Sequence, residues 1–174
     1  YHIVDNVWPT EIPDFKPVFQ RLFAEYDAAG DKMLAAIAKY LGLAPDYFDS
    51  VVENGNSVMR LLHYPPIAPD AEGIRAEAHG DINLITLLLG AEEGGLQLLS
   101  KSGDWIEVPV PEGALVINVG DMLERLTNNY LPSTIHRVIN PPPERRHIPR
   151  YSMPFFLHPA SDFLIKTLPQ CVDA

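Results

Sequence analysis

The spacing of apolar residues changes near Val58, and this change limits the possible folds more than any other feature of the chain. Upstream, apolar residues recur every three to four positions, as they do on one face of a helix. Downstream, eight short β-like runs are separated by turn signals such as Lys101-Ser102-Gly103-Asp104 and Pro111-Glu112-Gly113. Short strands at this spacing favour a double-sheet jelly roll or a barrel over alternating strands and helices.

The helical third of the chain contains an apolar stripe with one interruption. The stripe runs from Phe15 to Tyr26, stops at residues 27–30 and resumes from Met33 to Leu41. A short helix is expected from Pro45, because proline suits a first helical turn. Residues 121–127 are predicted as a helix or, alternatively, as strand plus turn. The predicted strands are residues 58–64, 74–79, 84–89, 96–99, 105–108, 115–119, 134–138 and 151–157.

Composition limits the partners and the location. A formal net charge of −10 makes nucleic acid a poor partner, because phosphate binding needs clustered Lys and Arg. No apolar run approaches the ~20 residues of a membrane span, so no membrane partner is expected. A single cysteine, Cys171, excludes an internal disulfide and suits a reducing compartment, which predicts a cytoplasmic protein. The oligomeric state is left open.

Two histidines and one carboxylate stand out as metal-ligand candidates. His79 and Asp81 are two positions apart, so on one strand both side chains would point to the same face. His136 lies in another predicted strand and reaches them only if the sheet closes on itself. Two imidazoles and one carboxylate form the facial triad that binds Fe(II) and leaves positions open for oxygen and a co-substrate. The remaining histidines are predicted to be surface or structural residues: His2, His63, His147 and His158.

The tripeptide His79-Gly80-Asp81 is too short to indicate a protein family by itself. Several longer motif blocks that follow one another in a fixed order are more specific. The blocks are EAHGDINLITLL (77–88), GLQL (95–98), WIEV (105–108), GALVINVGDML (113–123), LTN (126–128), STIHRV (133–138) and RYS (150–152). In this order they resemble the 2-oxoglutarate/Fe(II) oxygenases of the isopenicillin-N-synthase-like group, over roughly residues 59–159. The resemblance implies a mixed α/β, mainly β fold. Its core is a double-stranded β-helix (jelly roll) with N-terminal helices packed on it.

The same resemblance implies a co-substrate site. In that family an Arg-x-Ser pair holds the distal carboxylate of 2-oxoglutarate, and here the pair is Arg150 and Ser152. Arginine offers a planar fork of donors that matches a carboxylate, and the serine hydroxyl lies on the same strand face. Tyr64 matches a family tyrosine that hydrogen-bonds the co-substrate, although the usual Asn-Tyr-Tyr-Pro is Leu-His-Tyr-Pro at residues 62–65. Arg145 and Arg146 are interpreted as loop residues.

The resemblance also implies how the chain is organised. We expect one domain over residues 1–174, with a helical part at 1–57 and a C-terminal tail at 161–174. Residues 58–160 form the jelly-roll core for Fe(II) and 2-oxoglutarate. Residues 1–8 look like the inside of a strand and lack Met, so further residues are expected upstream of Tyr1.

The implied activity is that of a non-haem Fe(II)- and 2-oxoglutarate-dependent dioxygenase. Such an enzyme uses O2 to hydroxylate or desaturate a small organic molecule and releases succinate and CO2. Two alternatives share the fold: an oxidase that does not use 2-oxoglutarate, and a non-catalytic jelly-roll ligand-binding protein. A zinc hydrolase on a similar barrel is disfavoured, because no candidate general base accompanies the triad.

Overall fold

Antiparallel strands dominate the computed structural model, which describes residues 5–90 and 94–172. The helices are α1 (Phe15–Tyr40), α2 (Asp49–Val52) and α3 (Asp121–Leu126), with 3₁₀ turns at Pro143–Arg145 and Pro169–Cys171. The strands are β1 (Val58–Met59), β2 (Leu62–Tyr64), β3 (Ala76–His79), β4 (Ile85–Leu89), β5 (Leu96–Leu99), β6 (Trp105–Glu107), β7 (Leu115–Val119), β8 (His136–Val138), β9 (Arg150–Ser152) and β10 (Pro154–Leu157). This confirms the prediction of a mainly β fold with a few helices.

The strands form three sheets whose neighbours are far apart in sequence. One four-stranded sheet has the order β1-β10-β4-β7, another has the order β3-β8-β5-β6, and β2 pairs with β9 alone. All of the pairings are antiparallel. The β3–β8 pairing places His79 opposite His136. The pairing of distant strands that His136 needs in order to reach His79 is therefore present in the backbone.

Two of the long predicted strands are each divided, yet their pairing continues in one register. Val58 of β1 pairs with Phe156 of β10, and Tyr64 of β2 pairs with Arg150 of β9. Because the register is unbroken, alternate residues of both segments point to the same face. The cavity-lining residues on this face are Val58, Arg60, Leu62 and Tyr64 on one segment and Arg150, Ser152, Pro154, Phe156 and His158 on the other.

Helix α1 covers the other face of the β10–β4 pair. Its buried residues Tyr26, Gly30, Leu34 and Ala38 recur every four positions and so form one stripe. The helix α1 continues through residues 27–30, where the apolar stripe stops. A Cβ on Gly30 would collide with Leu157, so the glycine permits close contact between helix and sheet and does not end the helix.

Other boundaries differ locally from the predictions. Residues 45–48 form turns, and the short helix begins only at Asp49, because the backbone N–H groups of Tyr47 and Asp49 bond three residues back. The segment predicted as helix or strand plus turn is the helix α3. Residues 5–8 contain no strand, which contradicts the strand-like interpretation there, and residues 1–4 lie outside the described residues. Within the described ranges, no helix has the length and apolar character needed to cross a membrane.

Candidate metal centre

The structure brings His79, Asp81 and His136 together. One potential ligand atom from each residue lies within 4.8 Å of the others. The Asp81 Oδ1 and His136 Nε2 atoms are 3.8 Å apart, and the two imidazole ring centroids are 4.4 Å apart. Asp81 and His136 are 5% and 7% exposed, whereas His79 is exposed. The cluster therefore has two buried ligands and one that faces outwards.

Asp81 is not on the strand that the two-residue spacing implied. Strand β3 ends at His79, and Asp81 lies in the following loop. The start of α3 holds that loop, because the Asp121 N–H donates to the Asp81 carbonyl at 2.7 Å. Gly120 also lies against the Asn83 carbonyl more closely than a Cβ would allow. The carboxylate is thus positioned by the loop and by α3, and strand alternation does not place it.

Backbone carbonyls fix the orientation of both imidazoles. His79 Nδ1 lies 2.6 Å from the Glu77 carbonyl oxygen, and His136 Nδ1 lies 3.1 Å from the Thr134 carbonyl oxygen. A carbonyl oxygen only accepts, so each Nδ1 carries the proton and each Nε2 keeps a lone pair for a metal. The sequence alone does not identify these two acceptors.

A short hydrogen-bond chain fixes the Asp81 carboxylate. The Thr86 hydroxyl donates to Asp81 Oδ2 at 2.7 Å, and Asn83 Nδ2 donates to the Thr86 oxygen at 2.9 Å. All three residues are buried. Oδ1, which faces His136, is left for the metal. Sequence reasoning missed Thr86 and Asn83, although a polar residue in the apolar run 84–89 was an available signal.

The donor set fits iron. Two neutral imidazoles and one carboxylate are typical of non-haem Fe(II) sites, which keep several coordination positions free. Outer hydrogen bonds to every ligand are the other requirement of such a site, and each of the three residues has one.

The three predicted co-substrate residues line one cavity with the triad. This inner cavity, of about 250 Å³, is bordered by Tyr64, Arg150 and Ser152 as well as by the metal-ligand candidates. Arg150 is 3% exposed and Ser152 is 6% exposed. The Arg150 guanidinium carbon lies 5.3 Å from the centre of the Tyr64 ring. The cavity thus has a buried cation at one end and the triad at the other.

Burial changes the electrostatics of Arg150. Desolvation lowers the pKa of Arg150, Tyr64 acts in the opposite direction, and repulsion from Arg75 lowers it further. Arginine nevertheless stays charged in proteins, so Arg150 places a positive charge at the wall of the inner cavity. A carboxylate is the group whose charge and shape complement a guanidinium.

The remaining polar candidates fall into two groups. His63 and His147 are exposed, and His63 stacks on Tyr151 with 4.8 Å between ring centroids. Arg145 and Arg146 lie in and after a 3₁₀ turn, and Arg146 donates to the Pro69, Ala71 and Pro141 carbonyls. His2 lies outside the described residues.

His158 is a different case, because it borders a second cavity beside the triad, together with Arg60. The prediction of a surface or structural residue did not include a position at a cavity wall. Alternation from Arg150 onwards was the available signal, since His158 is on the same strand face.

With this geometry established, comparison with known proteins identifies the class. The family model of the 2OG-Fe(II) oxygenase superfamily matches residues 55–159. The chain therefore belongs to the 2OG-Fe(II) oxygenase superfamily, and the resemblance found in the sequence is confirmed.

Particular relatives agree with this assignment. The 2-oxoglutarate-Fe(II) type oxidoreductase hxnY of Emericella nidulans is 40% identical over 179 residues, which cover 97% of this chain and 49% of hxnY. The 2′-deoxymugineic-acid 2′-dioxygenase of Hordeum vulgare is 32% identical, over 95% of this chain and 50% of that protein. The chain spans about half the length of these curated relatives.

Solved structures give the same result. A 2OG-Fe(II) oxygenase family protein from Caulobacter crescentus superposes with a TM-score of 0.93 at 63% identity, over 99% of this chain and 56% of that one. A full-length protein from Neurospora crassa, solved in complex with alpha-KG, gives a TM-score of 0.89 at 36% identity, over 96% of this chain and 54% of that one.

Proposed function

We propose that the protein is an Fe(II)- and 2-oxoglutarate-dependent dioxygenase that hydroxylates or desaturates a small organic molecule with release of succinate and CO2. One observation carries the proposal: the triad and the buried Arg150–Ser152 pair line the same cavity. The cavity combines a donor set that fits iron with a buried guanidinium and hydroxyl that suit a carboxylate. A dicarboxylic keto acid requires both.

Each residue has a role in this proposal. His79, Asp81 and His136 would hold the iron, with Thr86 orienting the carboxylate. Bound iron supplies the activation of O2 that no amino-acid side chain provides. Arg150 and Ser152 would bind the far carboxylate of 2-oxoglutarate. Burial of this end keeps water from competing for the guanidinium donors.

We further propose that the two four-stranded sheets are the faces of a double-stranded β-helix over residues 58–160. Residues 1–57 would be its helical cover and 161–174 a tail of the same single domain. The antiparallel pairing of strands distant in sequence supports this interpretation. A cytoplasmic location stays a prediction.

Succinate formation tests the function. Protein supplied with Fe(II), 2-oxoglutarate and O2 is expected to release succinate slowly even without a primary substrate, and His136→Ala is expected to abolish this release. O2 consumption that does not depend on 2-oxoglutarate would indicate the oxidase instead. Tight binding of Fe(II) and 2-oxoglutarate without any turnover, for any substrate tried, would indicate a binding protein.

A further inference from the structure

A second cavity meets the inner cavity at the triad. This outer cavity, of about 310 Å³, is bordered by Val58, Ile82 and His158 in addition to the metal-ligand candidates. Arg60 and Phe156 border both cavities, as do His79 and Asp81. A molecule in the outer cavity would therefore lie against the metal without occupying the Arg150 end.

The strand register separates Arg60 from the co-substrate end. Arg60 precedes Tyr64, the partner of Arg150, by four residues on the same strand face, which is about 13 Å along an extended strand. A 2-oxoglutarate molecule held by Arg150 at one carboxylate and by the triad's metal at the other would have no free carboxylate for Arg60. Arg60 is thus a second cationic position that the co-substrate does not need.

The charges around Arg60 favour an anion. Its backbone N–H donates to the Pro154 carbonyl at 3.0 Å, but within the described ranges its exposed guanidinium has no ion pair. Asp81 is the sole carboxylate among the residues that border the outer cavity, and it belongs to the triad. Since the charges of Fe(II), Asp81, Arg150 and a 2-oxoglutarate dianion cancel, Arg60 would leave one positive charge unbalanced.

The rest of the outer cavity suits a small organic body. Val58 and Ile82 are 40% and 68% exposed, and with Phe156 they offer an apolar surface. His158 Nδ1 lies 3.1 Å from the Phe156 carbonyl oxygen, so the proton sits on Nδ1 and Nε2 is left for a ligand. The cavity therefore combines a cation, an apolar wall and one further polar contact.

We propose that the outer cavity is the primary-substrate site and that it selects small organic acids carrying a single negative charge. Arg60 binds the carboxylate, and Val58, Ile82 and Phe156 contact the apolar body. This inference rests on the proposed function, because it assigns the oxidised molecule to the cavity that Arg150 does not border.

Matched acid and amide probes test the charge preference. Phenylacetate with phenylacetamide, and hexanoate with hexanamide, are titrated by calorimetry into protein loaded with 2-oxoglutarate and redox-inert Zn(II). The acids are expected to bind at least about tenfold more tightly than the amides, as for one charge-assisted hydrogen bond. Arg60→Met should remove this preference and Arg60→Lys should keep most of it.

The control variant is Arg21→Met, which removes the same charge from a side chain that is 83% exposed on α1. It should leave the preference unchanged. Thermal melting of every variant verifies folding, which Arg60→Met is expected to preserve because the guanidinium is exposed. A preference that also disappears in Arg21→Met would reflect overall charge and overturn the proposal.

Failure of the inference and failure of the proposed function are separable. Equal binding of acids and amides, no binding of either acid, or a preference that survives Arg60→Met overturns the inference, even if 2-oxoglutarate binds normally. Absence of 2-oxoglutarate binding contradicts the proposed function, and with it the inference that rests on that function. Displacement of 2-oxoglutarate from the loaded protein by the acids would place the acids in the inner cavity and overturn the inference.

Discussion

Asp81 depends on more of its surroundings than either histidine of the triad. Its backbone is held by Asp121 and its Oδ2 atom by Thr86, and both contacts are hydrogen bonds of 2.7 Å. The histidines need only the carbonyl two residues before them. A carboxylate with one oxygen occupied by a hydroxyl presents the other oxygen in a single direction, which favours monodentate binding of a metal.

Replacing Thr86 by valine should weaken metal binding without removing a ligand. Thr86→Val keeps the shape but deletes the hydroxyl that donates to Asp81, so we expect the affinity for Fe(II) to fall by about 10–100-fold. Anaerobic titration in competition with a chelator measures this. Thr10→Val, at an exposed position, is the matched control. An unchanged affinity in Thr86→Val would mean that the hydroxyl does not position the ligand.

At the other end of the inner cavity, Arg150→Met should raise the dissociation constant of 2-oxoglutarate. We expect an increase of roughly 30-fold or more, because truncating one partner of a buried charge pair costs at least about 2 kcal/mol. Calorimetry with Zn(II)-loaded protein gives the constant. Zn(II) affinity of the same variant should not change, since Arg150 is not among the three residues of the metal cluster. A parallel loss of metal binding would indicate general damage to the site.

At the scale of the elements, the pairing of distant segments limits which site residues can be predicted from local sequence patterns. Local patterns predicted strands that overlap β3, β8 and β9 and made His79 and His136 metal-ligand candidates, whereas Arg150 and Ser152 were implied by the resemblance. Arg60 was missed, because its orientation towards the cavities follows from one register shared by segments about ninety residues apart, whereas alternation from Arg150 could have indicated His158. Local patterns carry no information about such a pairing. The motif blocks supplied the rest through resemblance.

Helix α1 shows the same limit, since the gap in the apolar stripe at residues 27–30 does not reveal that Gly30 contacts the sheet. Gly30→Val should destabilise the protein by about 1–3 kcal/mol, because the added carbons meet the buried Leu157. Ala28→Val, on the exposed side of the same turn, should cost no more than about 0.7 kcal/mol through helix propensity. Urea unfolding midpoints compare the two. Equal costs would show that the helix–sheet contact tolerates a larger residue.

At the scale of the whole molecule, the triad brings together residues that are far apart in the sequence. Asp81 lies in the loop after β3, and His136 is the first residue of β8. Four strands and α3 lie between them in the sequence. An ion that binds all three residues binds the folded chain alone, because the unfolded chain does not assemble the site. Metal binding therefore adds to the stability of the entire fold.

This coupling predicts a metal-dependent melting temperature. At a free metal concentration of about 100 times the dissociation constant, binding adds about 2.7 kcal/mol. For a chain of this size that corresponds to a rise of roughly 5–10 °C. Differential scanning calorimetry with Mn(II), which needs no exclusion of oxygen, measures the shift. His136→Ala should melt at the same temperature with and without the metal, because the two remaining ligands bind weakly. A rise of equal size in that variant would locate the stabilising metal elsewhere, and no rise in the parent protein would show that the folded triad does not bind it.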